Sequence, residues 1–141
     1  MTHGPRMRKL IPLMLIPVCI TAAAEWVKVG DTRQLKFEKY IDPDTVKQSG
    51  PMAIMRQVWE IGNFLEPGAD RVASVKTLAE YDCQNRQLRV LKEFWFTEPW
   101  AKGKEITPAH FNRAPSEWSA ITPNSTGGAI IDIVCPSGND G

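Results

Sequence analysis

The chain has 141 residues, of which 43% are hydrophobic. That length suits a single domain, and that composition excludes a wholly disordered chain. Its 17 basic and 16 acidic side chains leave a net charge of +1, so the overall charge gives no reason to expect a nucleic-acid partner. Two histidines and three cysteines are too few for most multi-ligand metal sites, and we predict neither a metal nor another cofactor.

Residues 1–24 have the three parts of a secretory signal peptide. The basic residues of its first part are Arg6, Arg8 and Lys9. An apolar run follows over residues 10–20, and three alanines at 22–24 suit cleavage. The alternative of a membrane anchor is disfavoured because this run is only about 11 residues long and a spanning helix needs about 20. We therefore expect a cleaved signal, no membrane span in the mature chain, and one domain over residues 25–141.

Cys19 offers an alternative to simple cleavage. A lipoprotein signal carries its lipid-modified cysteine directly after a small residue, and the acyl chain then anchors the protein to the membrane. The residue before Cys19 is the bulky, β-branched Val18. We therefore favour cleavage before Glu25 over lipid anchoring at Cys19.

Two cysteines remain after that cleavage, Cys83 and Cys135. An even pair in an exported chain predicts one disulfide, because the compartment outside the cytoplasm is oxidising. The alternative is a pair of free, buried thiols. A disulfide would place the segment that carries Cys83 next to the C-terminal element, with the two Cα atoms within about 7 Å.

Alternating apolar and polar residues predict a series of β-strands. The candidate strands cover residues 26–29, 35–41, 52–63, 72–83 and 88–96. Between them, Asp42–Thr45 predicts a turn and Gln84–Gln87 predicts a short hairpin.

The C-terminal part of the chain changes character. Residues 97–123 contain four prolines and are predicted to be irregular, with one helical turn at 115–118 that buries Trp118. Asn124 or Ser125 can cap a final helix that ends near Val134. About ten residues of this kind do not hold a helix alone, so packing and a Cys135 disulfide must support it. The predicted fold is α+β: an antiparallel sheet of five or six strands, with a C-terminal α-helix packed on one face and tethered by a disulfide.

Catalytic machinery is not evident in the sequence. His110 is the only histidine after the signal and lies in a proline-rich loop, where we interpret it as solvated. No G-x-S-x-G, P-loop or H-E-x-x-H motif occurs. Asp42-Pro43-Asp44 is better explained as a turn than as a pair of catalytic carboxylates. We predict a protein that is not an enzyme, with a hydrolase built on His110 as the remaining catalytic alternative.

The aromatic residues near position 95 are the first candidate binding feature. The residues of this strand predicted to share one face are Leu88, Val90, Phe94 and Phe96. Trp95 would then point to the opposite face with Leu91, and Trp100 lies in the following loop. Exposed aromatic residues often anchor protein contacts, although the helix or a loop covering them is the structural alternative. Contact between two copies of the chain through this patch, or through a strand edge, is a further alternative.

Arg86, Arg89 and Lys92 form a basic group near the hairpin. A solvated surface explains such a group most simply, and a polyanion such as a glycosaminoglycan is the functional alternative. Residues 25–141 carry a net charge of −2, which argues against stronger binding of polyanions.

Several stretches together resemble the surface-adhesin protein E family of bacterial envelope proteins. The matching stretches are 25–30, 40–46, 76–83 and 118–123, followed by Ser125, Gly127, Ala129, Val134 and Cys135. They occur in the order typical of that family and extend over nearly all of the mature chain. The chain departs from the family pattern at Gly128, where an acidic residue is frequent, and in continuing from Pro136 to Gly141.

The resemblance implies a six-stranded antiparallel sheet with a C-terminal helix tethered by a disulfide, here Cys83–Cys135. It also implies a location in the periplasm or at the surface of a Gram-negative cell. The activity implied is adhesion, with a host extracellular-matrix or plasma protein as the partner. A periplasmic structural or assembly factor that binds another envelope protein is the alternative.

Overall fold

A computed structural model describes residues 3–4, 11–18, 23–32, 36–50, 53–112 and 115–136. The prediction of a signal peptide therefore falls partly outside the described residues, and Cys19 and the basic residues before it lie outside them entirely. Cleavage and lipid anchoring both stay predictions. No helix within the described ranges has the length and apolar character needed to cross a membrane.

Within the described residues, seven antiparallel strands form one sheet. They are β1 (Val27–Thr32), β2 (Phe37–Gln48), β3 (Met55–Phe64), β4 (Ser74–Asp82), β5 (Gln87–Glu98), β6 (Lys102–Glu105) and β7 (Ser119–Ala120). The first six lie side by side in chain order, and the two-residue β7 pairs with the start of β5. Short 3-10 turns occupy Pro99–Ala101 and Ala109–Asn112, and the helix α1 covers Thr126–Val134. The predicted α+β fold is confirmed.

Helix α1 packs on one face of the sheet, which we call the inner face. The buried residues of this core are Ile41, Val58, Ala79, Tyr81, Ile130, Ile131 and Val134. Close approach between the helix and β1 depends on Gly30, because a β-carbon there would lie 2.5 Å from the hydroxyl oxygen of Thr126. The inner face therefore contains the hydrophobic core.

Two devices hold the short helix in place. The hydroxyl oxygen of Ser125 accepts a hydrogen bond from the Gly128 N–H at 3.1 Å, which caps the N-terminus. At the other end Cys135 is bonded to Cys83, with 5.7 Å between the Cα atoms. The predicted cap and the predicted disulfide are both confirmed. A nine-residue helix is marginal alone in water, so these contacts and the core decide its stability.

The predicted division of faces along β5 is wrong after Val90. Ala79 pairs with Val90 but Leu78 pairs with Lys92, so Leu91 is an extra residue in a β-bulge. Because side chains alternate along a strand, one inserted residue exchanges the two faces. Leu88 and Val90 face the helix as predicted. The residues after the bulge are exchanged: Trp95 lies on the inner side, and Phe94 and Phe96 lie on the opposite side.

The predicted turn at Asp42–Thr45 is a bulge inside a continuous strand. Asp42 pairs with Trp59 and Lys47 pairs with Gln57, so residues 43–46 have only Val58 opposite them. A side-chain oxygen of Asp42 accepts the Asp44 N–H at 3.1 Å, and the Thr45 hydroxyl donates to the Asp42 carbonyl at 2.7 Å. These local bonds satisfy the backbone where pairing is lost, and β2 continues afterwards to Gln48.

The predicted helical turn at 115–118 is also wrong. These residues have no regular secondary structure, and Trp118 is half-buried. Ser116 bonds to both backbone groups of Val90: its N–H donates to the Val90 carbonyl at 2.8 Å, and its hydroxyl oxygen accepts the Val90 N–H at 2.9 Å. Pairing with the edge of β5 therefore replaces helix formation here.

Acid unfolding is expected to report on Asp82, which begins the β4–β5 hairpin. Burial alone would raise the pKa of Asp82, but the N–H groups of Asn85 and Gln84 and the Asn85 side-chain amide bond to the carboxylate and lower the pKa overall. A lowered folded-state pKa gives stability that is present above about pH 4 and is lost as the pH falls through the folded-state pKa. Asp82→Asn should therefore flatten the acid limb of a plot of unfolding free energy against pH. An acid limb identical to that of the unmutated protein would contradict this role.

Candidate binding surface

The face of the sheet opposite the helix carries a band of partly exposed side chains, which we call the outer face. Its members are Tyr40, Trp59, Lys76, Leu78, Lys92 and Phe94. They alternate with the core residues of the inner face: Trp59 follows Val58, for example, and Leu78 precedes Ala79. No helix packs over this band within the described residues. Partly exposed apolar area of this kind marks a candidate contact surface.

The centre of the outer face combines aromatic rings with positive charge. The rings of Trp59 and Phe94 lie 6.3 Å apart, and the ammonium of Lys76 lies 4.9 Å from the centre of the Trp59 ring. That distance allows a cation–π interaction. Lys92 is exposed and lies opposite Leu78. The centre therefore offers apolar area together with two ammonium groups.

One end of the outer face is formed by a strained turn. Trp100 and Ala101 both have positive φ, at 62° and 55°. Such a conformation costs a residue other than glycine about 1–3 kcal/mol and persists only where the surroundings enforce it. Here the Trp100 N–H donates to the side-chain oxygen of Asn63 at 2.8 Å, and the Ala101 N–H donates to the Ser74 hydroxyl oxygen at 2.9 Å. Both side chains are buried, so the sheet itself fixes the turn.

The turn places Trp100 over the outer face. Its ring lies 4.6 Å from the ring of Tyr40, and 40% of the residue remains exposed. A large aromatic ring is thus held in one position while much of it stays open to solvent. Amphipathic aromatic residues fixed in this way are typical anchors of protein interfaces.

The two tryptophans predicted as a binding pair lie on different faces. Trp100 is on the outer face, whereas the bulge at Leu91 directs Trp95 to the inner side. There the ring of Trp95 contacts Phe111 at 4.6 Å, and its indole N–H donates to Glu93 at 2.5 Å. Trp95 and Trp100 therefore do not form one patch.

The three predicted basic residues also separate. Arg86 lies in the hairpin and pairs at 3.3 Å with Asp132 of the helix, where both side chains are mostly exposed. Arg89 and Lys92 share the outer face, but Arg89 is bound to Glu80 by its Nη2 at 2.7 Å and its Nε at 2.8 Å. Exposed pairs such as Arg86–Asp132 contribute little to stability.

The contacts of Arg89 stabilise the sheet and leave little of its charge available to a partner. Its guanidinium stacks on Trp118 at 4.5 Å, in addition to binding Glu80. Burial alone would raise the pKa of Glu80, but hydrogen bonds from Ser49 and Arg89 and the positive charge of Arg89 lower the pKa overall. Since the charge of Arg89 is largely compensated by Glu80, the positive charges at the centre of the outer face are those of Lys76 and Lys92.

His110 does not meet the partners that a hydrolase would need. It lies on the second 3-10 turn with its ring 4.5 Å from that of Phe111, and it shares a cavity of about 350 Å³ with Glu93 and Ser116. Within the described residues, however, His110 has no hydrogen bond to either of them, and the Ser116 hydroxyl bonds to backbone groups. Among the described residues, the Ser116 hydroxyl and the His110 ring therefore do not form the hydrogen-bonded pair of nucleophile and base that such catalysis needs.

The family model for surface-adhesin protein E matches residues 26–136. The chain belongs to this family. No curated protein matches the chain.

The fold is also similar to solved structures of Haemophilus influenzae protein E. The selenomethionine form has 16% sequence identity and a TM-score of 0.58, with 82% of this chain and 88% of that chain covered. Crystal form II has 19% identity and a TM-score of 0.55, with 69% of this chain and 79% of that chain covered. Identities this low show a shared fold, and the function of this family member rests on its own surface.

Proposed function

We propose that this adhesin-family protein is exported to the cell envelope and binds a protein partner through its outer face, without catalysis. The observation that carries the proposal is the strained turn that fixes Trp100 over Tyr40. Two buried side chains, Asn63 and Ser74, stabilise the energetically costly backbone of the turn. This turn leaves the ring of Trp100 partly exposed. Trp100 is the proposed anchor, with Trp59, Lys76 and Lys92 as the surrounding contacts.

The predicted signal at residues 1–24 and the disulfide both support export, since disulfides persist in oxidising compartments. Among envelope roles, we propose adhesion to a host extracellular-matrix or plasma protein. Binding of another envelope protein, as a structural or assembly factor in the periplasm, is the alternative. A second copy of the chain is a further partner that would use the same surface.

Truncating the proposed anchor should weaken binding about thirtyfold or more, which corresponds to about 2 kcal/mol for a central aromatic contact. The measurement compares purified mature protein with Trp100→Ala on immobilised plasma and matrix proteins by surface plasmon resonance. Ile133→Ala is the matched control, because Ile133 is an exposed apolar residue of the helix, away from the outer face. Equal binding by Trp100→Ala and the unmutated protein would overturn the role of the outer face.

Whole-cell protease treatment separates adhesion from the periplasmic alternative. Peptides of the outer face should be released from intact cells if the protein is displayed. Release only after the outer membrane is opened would reject surface adhesion and favour the periplasmic role. Mass spectrometry of the mature N-terminus would in the same cells distinguish cleavage before Glu25 from acylation at Cys19.

A further inference from the structure

A cavity of about 390 Å³ opens on the inner face of the sheet, beside the helix. Its apolar lining comes from both β-strands of the β4–β5 hairpin and from the helix, and includes Ala79, Leu88, Val90 and Ile130. Small-molecule sites have volumes in this range and combine an apolar lining with a few placed polar groups. The proposed adhesive contact lies on the opposite face, so this cavity is independent of it.

Thr77 on β4 lines the cavity and is a buried polar residue without a partner. Only 5% of it is exposed, and its hydroxyl makes no hydrogen bond within the part of the chain that the structure describes. Buried hydroxyl groups nearly always have a partner, because an unpaired one loses its hydrogen bonds to water without replacement. A molecule bound in the cavity would supply the missing partner.

Three charged residues also line the cavity within the described ranges, and each already has a partner in the protein. The Lys39 ammonium lies 2.5 Å from one carboxylate oxygen of Glu60, and the other oxygen accepts the Tyr81 hydroxyl. Glu93 accepts the indole N–H of Trp95 at 2.5 Å and has a further contact. The cavity therefore contains charges of both signs that are compensated without a ligand.

This mixture of charges favours a neutral ligand over an ion. An anion would meet the carboxylates of Glu60 and Glu93, and a cation would meet the ammonium of Lys39. Either ion would also lose its hydration in a largely apolar cavity, without an unpaired counter-charge among the described lining residues to replace it. An uncharged molecule avoids both costs.

The surroundings of Thr77 favour a hydroxyl as the polar group of that molecule. In the sheet Thr77 pairs with Glu60 on one side and with Glu93 on the other. A hydroxyl oxygen can accept a hydrogen bond from Thr77 while its own proton is donated to a neighbouring carboxylate. Each carboxylate oxygen accepts more than one hydrogen bond, so the present partners leave room for this donor.

We infer that the cavity binds a small uncharged alcohol with an apolar body. The hydroxyl of the alcohol accepts from Thr77 and donates to Glu60 or Glu93. Its apolar body lies against Leu88 and Ile130, which keeps that part of the ligand out of water.

The test compares three probes that share a phenyl ring on a two-carbon chain: 2-phenylethanol, the cation phenethylamine and the anion 3-phenylpropionate. Titration of the mature protein at pH 7 with 2-phenylethanol should shift the methyl signals of Leu88, Val90 and Ile130 in carbon–proton NMR spectra. Both ions should bind about tenfold more weakly or less, because each must be desolvated. The methyl signals of Ile133 and Leu65, which are exposed and do not line the cavity, should stay unchanged.

Thr77→Val removes the hydroxyl and keeps the shape of the side chain. It should weaken binding of 2-phenylethanol about tenfold and leave the melting temperature unchanged or raised, because the unliganded protein loses no hydrogen bond. Thr122→Val makes the same chemical change at an exposed position and should alter neither quantity. The inference is overturned if 2-phenylethanol leaves the cavity signals unmoved, if either ion binds as tightly as the alcohol, or if Thr77→Val binds the alcohol as tightly as the unmutated protein.

Discussion

Replacing both Cys83 and Cys135 with serine is expected to lower the free energy of unfolding by about 4 kcal/mol. The bond joins residues 52 positions apart, and opening a loop of that length restores roughly this much conformational freedom to the unfolded chain. For a domain of this size the melting temperature should fall by about 15 °C or more. Calorimetry and urea unfolding of the double variant measure the effect.

The same substitution should act locally on the helix. Amide hydrogen exchange over Thr126–Val134 should accelerate more than exchange in β3 and β4, because the short helix loses its covalent support. Reduction of the unmutated protein with dithiothreitol is the control and should reproduce both effects. An unchanged melting temperature would show that the bond contributes nothing to the fold.

Lys39→Met is expected to destabilise the protein by about 3 kcal/mol. Glu60 is buried, and the Lys39 ammonium is the cation that compensates its charge. Removing one member of such a pair leaves an uncompensated charge in a medium that solvates it poorly. Urea unfolding at neutral pH measures the loss.

The double variant Lys39→Met/Glu60→Gln separates charge from packing. A neutral glutamine keeps an oxygen that can accept the Tyr81 hydroxyl, so most of the lost stability should return. If the double variant is as unstable as Lys39→Met alone, the packing of the lysine stem, and not the buried charge, explains the loss.

Much of the fold is predictable from the sequence because its signals are local. Alternating residues predict most of the strands, and Asn124 or Ser125 before an apolar helical stripe predicts where the helix begins. The pair Cys83 and Cys135 predicts which elements meet. Each of these signals is read from neighbouring residues or from the number of cysteines, and each agrees with the structure.

The binding surface is less predictable because it depends on two irregularities without a sequence signal. The extra residue at Leu91 transfers Phe94 to the face of Trp59, and nothing in the local alternation marks that position. The left-handed backbone of Trp100 and Ala101 is enforced by side chains that are distant in the sequence. Glycine or asparagine is the usual sequence signal for such a turn, and neither occurs at these two positions. Trp100 could be proposed from its chemistry, but not its position over Tyr40.

The covalent link at the end of the helix should also make solubility depend on redox conditions. When the two sulfurs are reduced, only packing and the Ser125 cap retain the helix, and its departure would uncover Ile41, Val58 and Tyr81 on the inner face. A reduced chain without its docked helix exposes a continuous hydrophobic surface, which favours aggregation or capture by chaperones. In the oxidised chain the disulfide keeps the helix over this surface. A two-electron reduction therefore separates a state that resists aggregation from one that is prone to it.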